Sequence, residues 1–422
     1  MANWEIKSSQ KNLKAEITLP SSKSLSNRAL ILQKVLHTTF GVDLKIENLS
    51  MADDSRILLK ALEINNGEIN VKNAGTCMRF LTAYFAATEG SEIILTGDER
   101  MKIRPIADLV NVLRQLGAQI SYLEIENYPP IKISGQKLKG GNLLIEAHET
   151  SQFVSAMMMI APLLTSTLTL QIEKQISSLD YIEMTAKLME ELGFNITLNK
   201  GQKFTISIEH SFNNIQHKTY TVEADWSSAA FFYEAAALSQ TSNILLKGLS
   251  LNSKQGDKKI AEYMGQLFPI KSTETAQGIL IEKENEGIDS GIHEINLLNY
   301  PDLAPPIISC AAAAGLQALF SGLSSLKLKE SDRFQNLQQQ LQTAGYTVSS
   351  EGKDSICVGK TTPSPKNKMI FNTRHDHRLT MCFSLLALQN ESIGLNEIES
   401  VEKSFPGFWE EIKKLGIEAR EI

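Results

Sequence analysis

The chain has no apolar run long enough to cross a bilayer. Its longest apolar stretches, residues 153–164 and 307–320, fall short of the roughly 18 residues required and are broken by Ser155, Pro162, Ser309 and Gln317. Cysteine is scarce: Cys77, Cys310, Cys357 and Cys382 form no CxxC pair and lie in or beside apolar segments. That excludes a disulfide scaffold and a thiolate zinc site, and the four read as reduced, mostly buried thiols. Excess positive charge is missing too. Forty-two Lys and Arg against 48 Asp and Glu give a net charge of −6, which argues against nucleic acid or an anionic membrane as partner. No GxxxxGK[ST] loop, no GxGxxG after a strand and no HExxH occurs, so nucleotide binding by those routes and a zincin site have no support. His375 and His377 would face one side of a strand without a third ligand, so no metal site is expected. The first ten residues, MANWEIKSSQ, lack the features of a secretory or transit peptide, and the cytoplasm is the expected location.

What is present is an ordinary globular composition, 42% hydrophobic and 21% charged over 422 residues, with room for two domains. The clearest internal pattern is a helical run closing on a glycine and then a β-branched strand. It occurs at 106–116 before Gly117, at 182–192 before Gly193 and at 334–344 before Gly345, with a truncated copy at Leu415-Gly416-Ile417. The glycines recur at about 75 residues or twice that, which indicates a repeated unit. Short Ile, Val and Thr runs at 92–96, 142–146, 167–172 and 203–208 alternate with helical segments. Repeated α+β units with helices packed on sheets follow. A domain boundary is expected near residue 223, whereas the polar segment 359–368 reads as a surface connection.

Five short segments gather cations: 20–28, 73–79, 99–104, 326–333 and 372–378. A single one would be a solvated charge run, but several polar segments lead directly into apolar helices. Ser22-Lys23-Ser24, Ala74-Gly75-Thr76, Thr150-Ser151 and Asp376 each precede one. Such helix starts expose free amides that attract phosphate and carboxylate groups. Arginine adds bidentate donors and lysine a mobile charge, the combination that substrates rich in phosphates and carboxylates need. Cys77, beside Met78, Phe80 and Leu81, and the run Met157-Met158-Met159 read as core. Asp302, after Asn299-Tyr300-Pro301, and Glu330, between Lys329 and Arg333, are the candidates for proton transfer.

Taken together these strings resemble the 3-phosphoshikimate 1-carboxyvinyltransferase (EPSP synthase) family of enolpyruvyl transferases. The resemblance runs along the whole chain, from Ser22-Lys23-Ser24-Leu25-Ser26-Asn27-Arg28 and Asn73-Ala74-Gly75-Thr76-Cys77-Met78-Arg79 through Met101-Lys102-Ile103-Arg104-Pro105 and Ser151-Gln152-Phe153. It continues with Asn299-Tyr300-Pro301-Asp302, Lys329-Glu330-Ser331-Asp332-Arg333, Asp376-His377-Arg378 and Lys403-Ser404-Phe405-Pro406-Gly407-Phe408. It implies an α/β fold of two similar domains, each of three βαβαββ units, with the active site in the interdomain cleft. The domains would be 21–223, on the shikimate 3-phosphate side, and 1–20 with 224–422, on the phosphoenolpyruvate side. They would close over the ligands from an open unliganded form.

The implied reaction moves the enolpyruvyl group of phosphoenolpyruvate to the 5-hydroxyl of shikimate 3-phosphate and releases phosphate, without metal or organic cofactor, in a monomer. By resemblance, Lys23, Ser24, Arg28, Thr150, Ser151, Gln152, Ser178, Asp302 and Lys329 would hold shikimate 3-phosphate. Lys23, Gly75, Arg104, Gln152, Arg333, Arg378 and Lys403 would hold phosphoenolpyruvate. Asp302 would take the hydroxyl proton, and Glu330, with Lys403 or Lys23, would protonate the methylene carbon. Four positions depart from the family pattern: Ser21 for Gly, Thr150 for Ser, Phe80 for Pro, and Ser325 where Asn often contacts substrate. Phe80 and Ser325 leave sensitivity to the phosphoenolpyruvate mimic glyphosate open. Two other readings remain at this point. One is the sister transferase acting on UDP-N-acetylglucosamine, against which stand Ser24 after Lys23 and the lack of cysteine between Cys77 and Cys310. The other is a catalytically silent anion binder.

Overall fold

The computed structural model describes residues 3–145, 151–172, 177–201, 204–213, 218–284, 291–360 and 369–422. The four glycines of the sequence pattern occupy one structural position. Helices Ala107–Gln115, Leu179–Glu191, Arg333–Thr343 and Phe408–Lys413 are followed by Gly117, Gly193, Gly345 and Gly416 at φ of +102°, +89°, +96° and +74°. A side chain there would cost roughly 1 kcal/mol or more, because the left-handed region brings Cβ against the following carbonyl. Each glycine sits between the second helix and third strand of a βαβαββ unit.

One unit illustrates the rest. Strand Asn66–Asn70, helix Gly75–Ala86 and strand Glu92–Thr96 form a parallel crossover, and helix Ala107–Gln115 then leads into the hairpin Gln119–Tyr122 and Ile131–Ser134. The last strand pairs antiparallel with Glu92–Thr96, so the sheet order is first, second, fourth, third. Among the described residues five four-stranded sheets share this order.

Two of the five are closed by distant chain. Strand Asn12–Thr18 pairs in parallel with Thr241–Lys247, so that copy's first strand precedes its own helix Trp226–Leu238 by three other copies. Strand Trp4–Ser8 pairs with Ile393–Leu395 and Ile417–Glu421, which completes the copy that looks truncated at Gly416. The sixth copy is abbreviated. Thr219–Thr221 and Lys45–Glu47 form a two-stranded sheet with helices Lys23–Phe40 and Asp53–Ala61, and residues 62–65 run directly into Asn66–Asn70 without a hairpin. The doubled glycine spacing also has a cause. After helix Ile260–Leu267 the chain turns through Phe268 in extended conformation, φ −138°, so that copy needs no glycine.

The chain divides into two compact units, Ser21–Val222 and Met1–Pro20 with Glu223–Ile422. In the first, helices Lys23–Phe40, Gly75–Ala86 and Ser151–Ile160 pack on one another under the sheets. Met157, Met158 and Met159 are buried among them and Cys77 has no exposed surface, as core readings require. In the second, Trp226–Leu238, Ala304–Ala314 and His377–Leu385 play the same part. Every residue of Trp226–Leu238 is buried, which explains a sequence that is apolar on all sides. The surface connection expected at 359–368 falls largely on 361–368, outside the described residues. No helix among them is long and apolar enough to cross a membrane.

Two ionisable groups enter the core of the second unit. Lys283 Nζ donates to the carbonyls of Ala237 and Ser239 at 2.5 and 2.6 Å, capping the end of Trp226–Leu238. Glu234, fully buried, accepts from Ser309 Oγ, and burial pushes its carboxyl well above the usual range against that one hydrogen bond. The folded chain keeps this proton after the unfolded chain has lost it above about pH 4.3, so stability falls as pH rises. Glu234→Gln is therefore expected to gain stability relative to the parent between pH 5 and pH 8, by up to about 1.4 kcal/mol per pH unit. Denaturant midpoints across that range read the effect, and parallel curves for the two proteins contradict it.

Candidate active site

In the unit Ser21–Val222 the three central helices begin without acid. Ser22 caps Lys23–Phe40 by accepting Leu25 N–H at 3.4 Å, Ala74 precedes Gly75–Ala86, and Ser151 opens Ser151–Ile160. None carries an acidic residue in its first turn, so the positive ends of three helix dipoles stay available to an anion. Two of the starts touch, Gln152 Nε2 donating to Thr76 Oγ1 at 3.2 Å. Lys23 Nζ lies 3.1 Å from Asp54 Oδ2, a buried carboxylate that the sequence reading did not single out.

Gly75 is a glycine for the sake of two arginines. A Cβ built there would stand 2.7 Å from both terminal nitrogens of Arg104 and from Nη1 of Arg79. Arg79 Nη1 donates to Gly75 O at 3.0 Å and its guanidinium lies 5.4 Å from the Phe153 ring, while Arg104 Nη1 is 3.5 Å from Asn73 Oδ1. Both side chains are buried. Two like charges drawn to one helix start have the chemistry to hold a phosphate or carboxylate. Arg79 was missed as a site residue, although its place one turn after Gly75 on the same helix was a usable signal.

Arg28 is also buried and still cationic at neutral pH, since burial, slightly opposed by Tyr181, lowers it only to about 10. Nε donates to Thr185 Oγ1 at 2.6 Å, Nη1 to Ser24 O at 3.0 Å and Nη2 to Ser155 Oγ at 3.1 Å. Among the described residues none of its partners is a carboxylate. Its guanidinium lies 5.3 Å from the Phe80 ring and 5.8 Å from that of Tyr181, so the departure at Phe80 acts on Arg28. Ser178, at φ +61°, opens the helix Leu179–Glu191 that supplies Tyr181 and Thr185. Thr150 lies outside the described residues.

The second unit reverses the pattern, with an aspartate at each central helix start. Asp225 caps Trp226–Leu238, Asp302 lies in the 3-10 turn Pro301–Leu303 before Ala304–Ala314, and Asp376 caps His377–Leu385. Arg333, with no exposed surface, ties the cluster together. Nε and Nη2 grip Asp376 at 2.9 and 3.1 Å, Nη2 also reaches Glu330 at 2.7 Å, and Nη1 reaches Asp302 at 3.4 Å. Arg378 Nη2 meets Asp302 Oδ2 at 2.8 Å, Lys329 Nζ lies 3.5 Å from Asp302 Oδ1, and Lys403 Nζ 3.6 Å from Glu330 Oε1.

The four cations Lys329, Arg333, Arg378 and Lys403 thus exceed the carboxylates Asp302, Glu330 and Asp376 by one charge. Burial alone would raise Asp302, but Arg378, Lys329 and Arg333 outweigh it and hold the carboxyl far below its usual range. Burial lowers Lys329, with Asp302 opposing, and burial of Arg333 is overcome by Asp376, Glu330 and Asp302, which raise it.

Other candidates resolve differently. The expected strand at His375 and His377 is absent. Arg374 and His375 adopt positive φ of 51° and 57°, leaving His375 exposed against Glu397 and His377 buried at the helix start. No group of His, Cys, Asp and Glu among the described residues could hold a metal ion. Cys77 Sγ donates to Asp54 O at 3.0 Å within the core. The hydroxyl of Ser325 is buried and finds no hydrogen-bond partner among the described residues.

The family model for EPSP synthase (3-phosphoshikimate 1-carboxyvinyltransferase) matches residues 62–412. A Bacteroides fragilis protein named 3-phosphoshikimate 1-carboxyvinyltransferase is 36% identical over 411 residues, covering 97% of each chain. One of the same name from Colwellia psychrerythraea is 34% identical over 96% of this chain and 97% of its own. A solved EPSP synthase from Acinetobacter baumannii shares the fold at a TM-score of 0.75 and 21% identity over 99% of both chains. The chain belongs to the EPSP synthase (3-phosphoshikimate 1-carboxyvinyltransferase) family.

Proposed function

We propose that this chain transfers the enolpyruvyl group of phosphoenolpyruvate to the 5-hydroxyl of shikimate 3-phosphate, giving 5-enolpyruvylshikimate 3-phosphate and inorganic phosphate in the shikimate pathway. The observation that carries this reading is Arg333 shared between two carboxylates, Asp302 and Glu330, each also paired with a lysine. Enolpyruvyl transfer needs one group to remove a proton and another to deliver one, among cations that offset two polyanions. The name carried by full-length relatives supports the same reaction.

Shikimate 3-phosphate is held by Lys23, Ser24, Arg28, Thr150, Ser151, Gln152 and Ser178 with Asp302 and Lys329. Phosphoenolpyruvate is held by Lys23, Gly75, Arg104, Gln152, Arg333, Arg378 and Lys403, and we add Arg79, which shares the space over Gly75 with Arg104. For Arg333 the donor that yields to substrate is Nη1, whose 3.4 Å contact with Asp302 is its longest. Asp302 accepts the 5-hydroxyl proton as that oxygen attacks the central carbon of phosphoenolpyruvate. Glu330, with Lys403, delivers a proton to the methylene carbon, which becomes a methyl group. Loss of phosphate from the tetrahedral intermediate and of one methyl proton restores the double bond. No metal or organic cofactor enters this scheme, and the enzyme works as a cytoplasmic monomer.

Phosphate release from phosphoenolpyruvate, measured in the presence of a chelator, tests the reading. Release is expected with shikimate 3-phosphate and not with UDP-N-acetylglucosamine, and silence with both acceptors contradicts it. Asp302→Asn and Glu330→Gln are each expected to lower kcat about 10²- to 10⁴-fold. Parent-like rates in both would remove the acid–base assignment. Gly75→Ala displaces only the ends of two flexible side chains, so the thermal midpoint should hold while KM for phosphoenolpyruvate rises at least about tenfold. An unchanged KM would take the Gly75 site out of the reaction.

A further inference from the structure

Asp302 faces a chemical difficulty. Gripped by Arg378 at 2.8 Å, with Lys329 and Arg333 beside it, it has little affinity for the proton it must accept. A general base works best when its proton affinity matches the working pH, so some group has to offset these cations.

One buried carboxylate near this cluster has no part in the scheme above. Asp257 lies in the 3-10 turn Gly256–Lys259, is 4% exposed and accepts a hydrogen bond from Ser227 Oγ. This turn and the turn carrying Asp302 both pack on helix Trp226–Leu238. Gln255 pins the first of them to the helix start, its Oε1 accepting Trp226 N–H at 3.1 Å and its Nε2 donating to Ala224 O at 2.8 Å. Charges from all three central helix starts act on Asp257, those of Asp302, Arg378 and Asp225. On its own segment Lys258 donates to the carbonyls of Leu251 and Ser253, Lys259 pairs with Glu262 and Lys254 with Glu223.

We propose that Asp257 is a positioning residue for the proton-transfer step, its carboxylate competing with Asp302 for the positive charge of Arg378 and so making Asp302 a usable base. The proposal rests on Asp302 being that base. Burial first, and then the charges of Asp302 and Asp225, lift Asp257 to about 7, against the Ser227 hydrogen bond and Arg378. Electrostatic coupling between two sites is reciprocal, so an ionised Asp257 strengthens proton binding at Asp302 by the same free energy. The active form is then the one with Asp257 ionised, and kcat climbs as pH rises through neutrality. Its proton goes to solvent before turnover, so the covalent steps stay as written.

The test is the pH profile of kcat at saturating substrates for Asp257→Asn, Ser227→Ala and Asp302→Asn, with thermal midpoints alongside. The Asp257→Asn variant keeps the shape and an acceptor for Ser227. It should lose the limb near pH 7 and run about tenfold slower at pH 8, with both KM values within about twofold of the parent. Removing the Ser227 hydrogen bond takes support from the ionised form, so Ser227→Ala should move the limb to higher pH. A profile in Asp257→Asn of parental shape, whether at full or uniformly reduced rate, overturns the proposal, as does an unmoved limb in Ser227→Ala. If Asp257→Asn does not fold, the Ser227→Ala profile decides alone. Failure of the underlying reading shows separately, as parental activity in Asp302→Asn.

Discussion

A guanidinium cut off from solvent organises one half of this enzyme. Arg333 reaches three carboxylates, and through them it fixes the cap of helix His377–Leu385, the turn before helix Ala304–Ala314 and the residue assigned to proton delivery. A buried pair of this kind gains little net stability over an apolar replacement, but loss of one partner leaves charges uncompensated at a cost of roughly 3–5 kcal/mol. Here such a loss would strand Asp376 and weaken the hold on Asp302 and Glu330 together. The arrangement therefore serves orientation: it keeps the two carboxylates to which we assign different duties within reach of the same cation.

The six-copy architecture supplies the places at which such groups meet. In each unit three helices, the first of each copy, pack together, and contacts at their starts link one copy to the next. The two units fill those starts in opposite ways. Ser22, Gly75 and Ser151 bring no acid to these starts in one, whereas in the other Asp225 and Asp376 cap theirs and Asp302 sits in the turn before the third, with Arg333, Arg378 and Lys329 drawn to it. One fold thus yields a cluster of cations at bare helix starts and a network of paired carboxylates by changing the residues at three equivalent points.

Much of this was legible in the sequence because it depended on local rules. The glycines at 117, 193, 345 and 416 mark one backbone requirement, and the cationic strings mark helix starts. What was hidden depended on space or on distant chain. Arg79 can meet Arg104 because Gly75 lacks a Cβ, and the turns of Asp257 and Asp302 share one support because Trp226–Leu238 gathers segments far apart in sequence. The strand expected around His375 fails since Arg374 and His375 take left-handed conformations without a glycine or asparagine to announce them. The abbreviated copy escapes a periodicity argument because the missing hairpin leaves no residues to count, and Phe268 escapes because an extended turn needs no glycine.

In the proposed mechanism the carboxylates that Arg333 holds add a proton to the methylene carbon of phosphoenolpyruvate and later remove one. Turnover in D₂O, followed by mass spectrometry or NMR of the enolpyruvyl product, tests it directly. Addition and elimination through a methyl-bearing intermediate predict deuterium in the product's methylene group. A product whose methylene carbon keeps only its original hydrogens would rule out that intermediate.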